Sequence, residues 1–267
     1  LHHPEFESAS IHSIIAGALP QIATRLGASS VHCLFCTDAD LSQLTANGFV
    51  RRESHQFHWR NDGYHDFDDF LQKLSSKKRK NILRERRRVR EQEITLHWLQ
   101  GNQLNSSHLD FLTACYTNTI AEHGSHAYLS REFFAQLARE LPDSVQLLRA
   151  TRNGQDIACA FFIRGKTALF GRYWGALEQV PDLHFEACYY APIEYCIKHG
   201  LTRFEAGAQG EHKLSRGLTP EITLSAHWLA HRGFHDAIGR YTIEESSQLA
   251  EYTRVLHAHT PFRKHNP

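Results

Sequence analysis

The order of predicted elements is that of an α+β protein with a run of antiparallel strands at its centre, and three observations carry this. Short β-rich runs at 145–151, 157–164 and 168–174 follow one another, with Asn153 and Gly154 supplying a hairpin turn between the first two. Two segments of helical periodicity, at 107–123 and 131–141, precede that run, and a third at 184–199 follows it. Further strands at 202–206 and 222–229 place this third helix between strands. A chain of 267 residues can bury a sizeable core as one large domain or two small ones.

The elements follow from local signals. A helix is expected over 11–26, a strand over 31–36, and a second helix from Asp40 as N-cap to Gly48 as C-cap. A strand at 54–59 alternates His55, Phe57 and Trp59 against Ser54, Gln56 and His58, and Asn61, Asp62 and Gly63 then make a turn. From Asp66, the residues Phe67, Phe70, Leu71, Leu74, Ile82 and Val89 recur at near-helical intervals; Ser75 and Ser76 divide this stretch in two. A strand at 94–99 leads into the central elements. In the 184–199 helix, Gly200 closes the C-terminus and Lys198 and His199 complement the dipole, while Pro192 kinks the helix or marks its true start. The last element is an amphipathic helix carrying Phe234, Ile238, Tyr241, Leu249, Tyr252 and Leu256.

Composition narrows the function classes. No apolar run approaches the roughly 20 residues that cross a bilayer. Methionine is absent, so a processed chain or one preceded by further sequence is expected. The six cysteines lack the spacing of a disulfide framework, which predicts free thiols and a reducing, cytoplasmic setting. Cys33 and Cys36 form a CxxC, but within a strand their spacing sends the thiols to opposite faces, so the pair reads as structural. Loosely spaced histidines (His123 and His126; His227, His231 and His235) do not form a metal motif, and no metal site is expected. GxSxG, P-loop and dinucleotide glycine motifs are absent. Lys and Arg total 30 against 29 Asp and Glu, yet residues 73–93 hold ten cations and three glutamates. That basic run is either a solvated helix face or a surface for an anion such as a phosphate, an RNA backbone or a lipid headgroup. It contains no aromatic residue for base stacking.

The densest chemistry lies at 204–217, FEAGAQGEHKLSRG, directly after a short strand. Gly207 and Gly210 permit conformations a Cβ would block, and Glu205, Gln209, Glu211, His212, Lys213 and Arg216 add carboxylates, an imidazole and cations. This is the expected active-site loop. On the preceding helix Glu186, Tyr190 and Glu194 form one stripe, either solvated or facing a cleft, while Phe185, Tyr189, Ile193 and Cys196 form a second that reads as core.

The blocks FHWRNDGYHDFDDFL, KKRKNILRERR, GRYWG, LHFEACYY and FEAGAQGEHKLSRG, followed by Thr223, Ser225 and His227, resemble the FemAB-like proteins of the GNAT acyltransferase superfamily, of the peptidoglycan-biosynthesis type. The resemblance is clearest over residues 50–260. It implies tandem GNAT-like modules, each a mixed, mostly antiparallel sheet flanked by helices. Residues 1–60 would be the C-terminal part of a first module, and 61–267 the second. It also implies transfer of an acyl or aminoacyl group to an amine, on a small molecule or a cell-wall precursor. Acyl-CoA or aminoacyl-tRNA would then be a co-substrate, with no tightly bound cofactor. Such a transfer needs a base and an oxyanion stabiliser. Glu186, Glu211 and His212 are the candidate bases. Arg172, Tyr173, Tyr190, Glu205, Gln209, Lys213 and Arg216 are candidates for substrate binding, and Gly207, Gly210, Lys78, Arg79 and Arg86 for the donor. Arg172 to Gly175 matches the first half of the GNAT pyrophosphate signature, but Leu177 fills its final small position, which counts against acetyl-CoA. The alternative implied by the same resemblance is an inactive GNAT-like module that binds an anionic ligand or nucleic acid.

Overall fold

The computed structural model describes residues 8–207 and 210–263 and divides into two compact units. One combines residues 1–56 with 220–259, the other residues 57–219 with 260–267. The first contains α1 (Ser8–Arg25), β1 (Ser30–Leu34), α2 (Asp38–Ala46), the start of β2 (Val50–Arg60), most of β8 (Thr219–Leu229) and α9 (Arg232–Ala258). Its strands run in the order β1-β8-β2, with β1 and β8 antiparallel from Ser30↔Leu229 to Leu34↔Ser225. Ala16, Leu41, Leu44, Phe49 and Ala226 form its core.

The second unit begins with the end of β2 and continues through α3 (Phe67–Lys73), α4 (Ser76–Glu91), β3 (Ile94–Gln100), α5 (Ser106–Glu122) and α6 (Arg131–Glu140). Then come β4 (Val145–Arg152), β5 (Gln155–Arg164), β6 (Ala168–Ala176), a single turn α7 (Leu183–Phe185), a π-turn (Glu186–Tyr190), α8 (Ala191–Lys198), β7 (Arg203–Glu205) and a 3₁₀ segment (Glu211–Arg216). Its strand order is β2-β7-β6-β5-β4-β3. Every registered pair is antiparallel except β6 with β7. This is the mixed, mostly antiparallel sheet with flanking helices expected of a GNAT-like acyltransferase. Leu112, Cys115 and Tyr116 of α5, Phe134 of α6, and Val145, Leu147 and Phe161 of the sheet form one of its core clusters.

Local chemistry explains the boundaries. The helix does divide at the paired serines, with Leu74 and Ser75 between α3 and α4 and Ser76 opening α4, and Asn153 and Gly154 both take positive φ (51° and 76°), as a two-residue hairpin turn requires. Pro192 occupies the first turn of α8, where its missing N–H costs nothing. Several details differ from the sequence reading. The C-cap of α2 is Asn47, one residue before Gly48, and β1 ends at Leu34, so Cys33 and Cys36 pack against the same apolar cluster and not on opposite faces of one strand. The N-cap of α2 is Thr37, whose hydroxyl accepts from Asp40 N while the Asp40 carboxylate accepts from the Thr37 N–H, so Asp40 is the third residue of a capping box. In β2, His58 is buried along with Phe57 and Trp59, so the end of that strand is covered on both faces and does not alternate.

Gly175 is fixed by packing. A Cβ there would sit 2.2 Å from the carbonyl oxygen of Cys115, because α5 lies directly on β6. Gly175→Ala is expected to lose about 1–3 kcal/mol through overpacking, read as a lower denaturation midpoint with an unchanged slope.

Candidate active site

The site grows out of the parallel pair β6 and β7. β6 and β7 are in register over Ala168↔Arg203, Leu169↔Phe204 and Phe170↔Glu205, after which β7 ends and β6 continues to Ala176 without a β7 partner. At that point β6 also carries a bulge: Tyr173 pairs with Phe161 but Gly171 with Phe162, leaving Arg172 as the extra residue. Bulges redirect side chains and end pairing, and here they do so at an opening in the sheet. A cavity of about 130 Å³ lies there. Gly171 to Trp174 of β6, His184, Cys188 and Tyr189 of the helical segment, and Ala206 and Gly207 after β7 form its walls.

The helical wall is shaped by the π-turn at Glu186–Tyr190, which ends where Pro192 enters α8. A π-turn accommodates an extra residue in the helix, so Tyr189 and Tyr190 do not follow a 3.6-residue count from Glu186. Tyr189 lines the cavity and its hydroxyl meets His212 Nε2 at 2.9 Å. Tyr190 is wholly buried and donates to the Glu85 carboxylate.

Glu186 is only 5% exposed, and both its oxygens are 3.1 Å from Nε of Arg86. The same guanidinium reaches Glu194 at 2.7 Å and lies over the Phe67 ring. Burial pushes the Glu186 carboxyl above its usual pKa, against the pull of Arg86. Arg86 and Lys78, read from the sequence as donor ligands, thus face inward; Lys78 donates to Ser215 Oγ at 2.8 Å. Arg79 is half-buried.

The loop after β7 is tied to the same elements. Arg216 donates to the carbonyl of His212, pairs with Glu85 at 3.3 Å and stacks 3.5 Å above the Phe185 ring. Lys213 is 3% exposed, its ammonium donates to the Gly207 carbonyl at 2.8 Å, and burial lowers its pKa to about 8. Gly207 and Gly210 take φ of 79° and 110°, and a Cβ on Gly210 would fall 2.4 Å from the His212 ring. Burial, followed by Arg216 and Lys213, depresses the pKa of His212. Gln209 lies outside the described residues.

The remaining sequence candidates lie around this centre. Arg172 is exposed at the bulge, Tyr173 lines the cavity and meets the Tyr128 hydroxyl at 3.3 Å, and Glu211 is exposed at the start of the 3₁₀ segment. Glu205 pairs with Arg203 at 2.9 Å, with His58 at 3.9 Å, and burial raises its pKa. The structure brings Arg172, Tyr173, Gly207 and His212 to the cavity or its rim. It turns Glu186, Tyr190, Arg86 and Arg216 into a buried network beside it. Sequence reasoning missed Trp174, His184 and Cys188; Tyr189, assigned to the core, is buried and also lines the cavity. His184 titrates away from its ordinary range. Burial, then the positive field of His212, Arg216 and Lys213, lowers its pKa to about 4, so it is neutral at pH 7.

A family model for FemAB-like proteins, described as peptidoglycan biosynthesis/recognition, matches residues 1–264. The chain belongs to the FemAB-like family. FemAB-like proteins are aminoacyltransferases, which places this chain among the transferases. No curated protein matches the sequence. Among solved structures, it is similar to L-PGS from Bacillus licheniformis, with 11% identity and a TM-score of 0.63 over 85% of this chain and 77% of the other. It is also similar to the C-terminal domain of a putative lysylphosphatidylglycerol synthetase from Agrobacterium fabrum (12%, TM-score 0.63, 89% and 78% covered). FemX gives 10% identity and a TM-score of 0.59 over 87% and 80%. At these identities the likeness is one of fold. No helix among the described residues of this FemAB-like chain is long and apolar enough to cross a membrane.

Two measurements follow from the buried network. Arg86→Ala leaves the Glu186 carboxylate buried without its cation and is expected to cost about 3 kcal/mol or more in denaturant unfolding, with Glu186→Gln in the same chain recovering part of the loss. His184 has a folded pKa below its unfolded value, so the unfolded chain takes up the proton first as pH falls. Its contribution is therefore intact above pH about 6.5 and is lost progressively toward pH about 4. Replacing His184 by Asn is expected to flatten the stability profile across that window.

Proposed function

We propose that this FemAB-like chain transfers an acyl or aminoacyl group from an activated donor, a thioester or an aminoacyl-tRNA, to an amine on a cell-wall precursor in the cytoplasm. The observation that carries this reading is the opening between β6 and β7, where a cavity is walled by His184, Cys188 and Tyr189 and His212 is hydrogen-bonded to Tyr189. An amine attacks a carbonyl only as the free base, so its proton needs an acceptor that is neutral near pH 7. His212 meets that requirement because its pKa is depressed, and its bond to the Tyr189 hydroxyl fixes the ring at the cavity wall. In the reaction the amine nitrogen bonds to the donor carbonyl carbon, His212 removes the N–H proton, the C–S or C–O bond breaks, and the leaving thiol or hydroxyl takes the proton.

The other groups serve this centre. Backbone groups of β6 beyond Phe170 have no β7 ladder partner and are available to the oxyanion or to the extended part of a donor. Lys213, held by Gly207, places positive charge next to the cavity, and Arg172 at the bulge offers a cation at its rim. Glu186 acts as an anchor for Arg86, since both its oxygens are engaged. Glu211 stands beside His212 as a further acid–base group on the exposed side.

The test is to incubate the protein with radiolabelled acyl-CoA or aminoacyl-tRNA and an amine-bearing cell-wall precursor. His212→Ala is expected to lower kcat by about 10²–10⁴-fold, while Tyr189→Phe changes it less. The acid limb of kcat/KM should inflect below the ordinary histidine value of about 6.5. Full turnover in His212→Ala would remove the residue from this role. Binding of the precursor with no turnover from either donor would favour an inactive recognition module.

A further inference from the structure

We infer that the outer face of α4 is a docking surface for an anionic lipid bilayer. The helix sorts its cations into two sets. Lys78 and Arg86 face inward and are bonded to Ser215 and to Glu186 and Glu194. Lys77, Lys80, Arg84, Arg87, Arg88 and Arg90 are exposed. Arg87 has Glu91 at 3.5 Å and Arg88 has Asp182 at 3.4 Å, whereas Lys77, Lys80 and Arg84 have no hydrogen-bond or ion-pair partner among the described residues. Residues 77, 80, 84 and 87 are spaced three, four and three apart, so they form one row about 15 Å long on a single helix face.

This row works against the helix that carries it. Like charges at i, i+3 and i, i+4 repel. Lys77 and Lys78 lie in the first turn, which contains no acidic residue and where the helix dipole disfavours cations; Ser75 provides no side-chain cap. The inward cations are held by bonds, whereas Lys77, Lys80 and Arg84 make none and leave their charge free for an anionic partner.

Two features select a lipid surface over an RNA. Leu83 projects within the same basic face and is 43% exposed. An apolar side chain among cations gains by entering the headgroup region, whereas a phosphodiester backbone offers it nothing. The α4 sequence also lacks any aromatic side chain on which a base could stack, and a convex helix ridge is not a groove that tracks a nucleic-acid backbone. Juxtamembrane cations are attracted to anionic headgroups within about a Debye length, so the association is reversible and weakened by salt.

The experiment is vesicle co-sedimentation of the full chain with phosphatidylcholine alone and with phosphatidylcholine containing phosphatidylglycerol, at low and physiological salt. Binding is expected only to the anionic vesicles. The Lys77→Glu, Lys80→Glu, Arg84→Glu triple variant is expected to lose about a hundredfold or more in affinity, and Leu83→Ser to lose less. Circular dichroism melts of both variants should match the parent, and the gentler Lys77→Gln, Lys80→Gln, Arg84→Gln variant should show an intermediate loss if the reversal variant misfolds. No binding to anionic vesicles at low salt, equal binding by a folded charge variant, or displacement from vesicles by stoichiometric folded RNA would each overturn the inference.

Discussion

The candidate site depends on the buried pairing of Arg86 with Glu186. Glu186 sits in the first position of the π-turn, almost fully removed from water, where an unpaired carboxylate would be strongly disfavoured. Arg86 supplies the compensating charge from α4 and extends to Glu194 on α8, so one guanidinium spans the π-turn and the helix after it. The adjacent Glu85 makes the opposite arrangement: its carboxylate receives Tyr190 and Arg216. Consecutive residues of opposite sign therefore hold α4 to the π-turn, to α8 and to the 3₁₀ segment. Sliding α4 by one residue would set like charges against each other, which restricts the packing to a single register.

That register determines what reaches the cavity. Arg216, held by Glu85, carries the carbonyl of His212 and lies on Phe185, so the imidazole is placed from two sides before Tyr189 completes its hydrogen bonding. Lys213 is turned to the carbonyl of Gly207, a residue whose positive φ of 79° suits glycine. Burial first, and then the neighbouring cations, lower the pKa of both His184 and His212. Electrostatics and glycine geometry thus act on the same few atoms.

Most of the fold was legible in the sequence because its signals are local. Paired serines, an Asn-Gly turn, a proline at a helix start and glycines at helix ends each act through their own backbone conformation. The site was legible as an address: the loop after β7 and the end of β6 do meet. Its division of labour was not, for two physical reasons. Long Lys and Arg side chains can bury their stems and carry a charge inward, so the hydrophobic period of α4, set by Ile82 and Val89, does not say which cations are free. The stripe of Glu186, Tyr190 and Glu194 does meet one neighbour, α4, but the sequence does not say that Glu85 and Arg86 already engage it. Tyr189 is buried as a core residue should be, and its hydroxyl also reaches His212 at the cavity.

The π-turn also makes this segment intolerant of changes in length. Deleting one residue from 186–190 would restore an ordinary helix, but every later residue of α8 would turn by about 100° around the axis. Ile193 and Cys196, now fully buried, would leave the core together, and Glu194 would swing away from Arg86. Related chains that retain this cavity should therefore keep the spacing between Leu183 and Pro192 even where the residues between them differ.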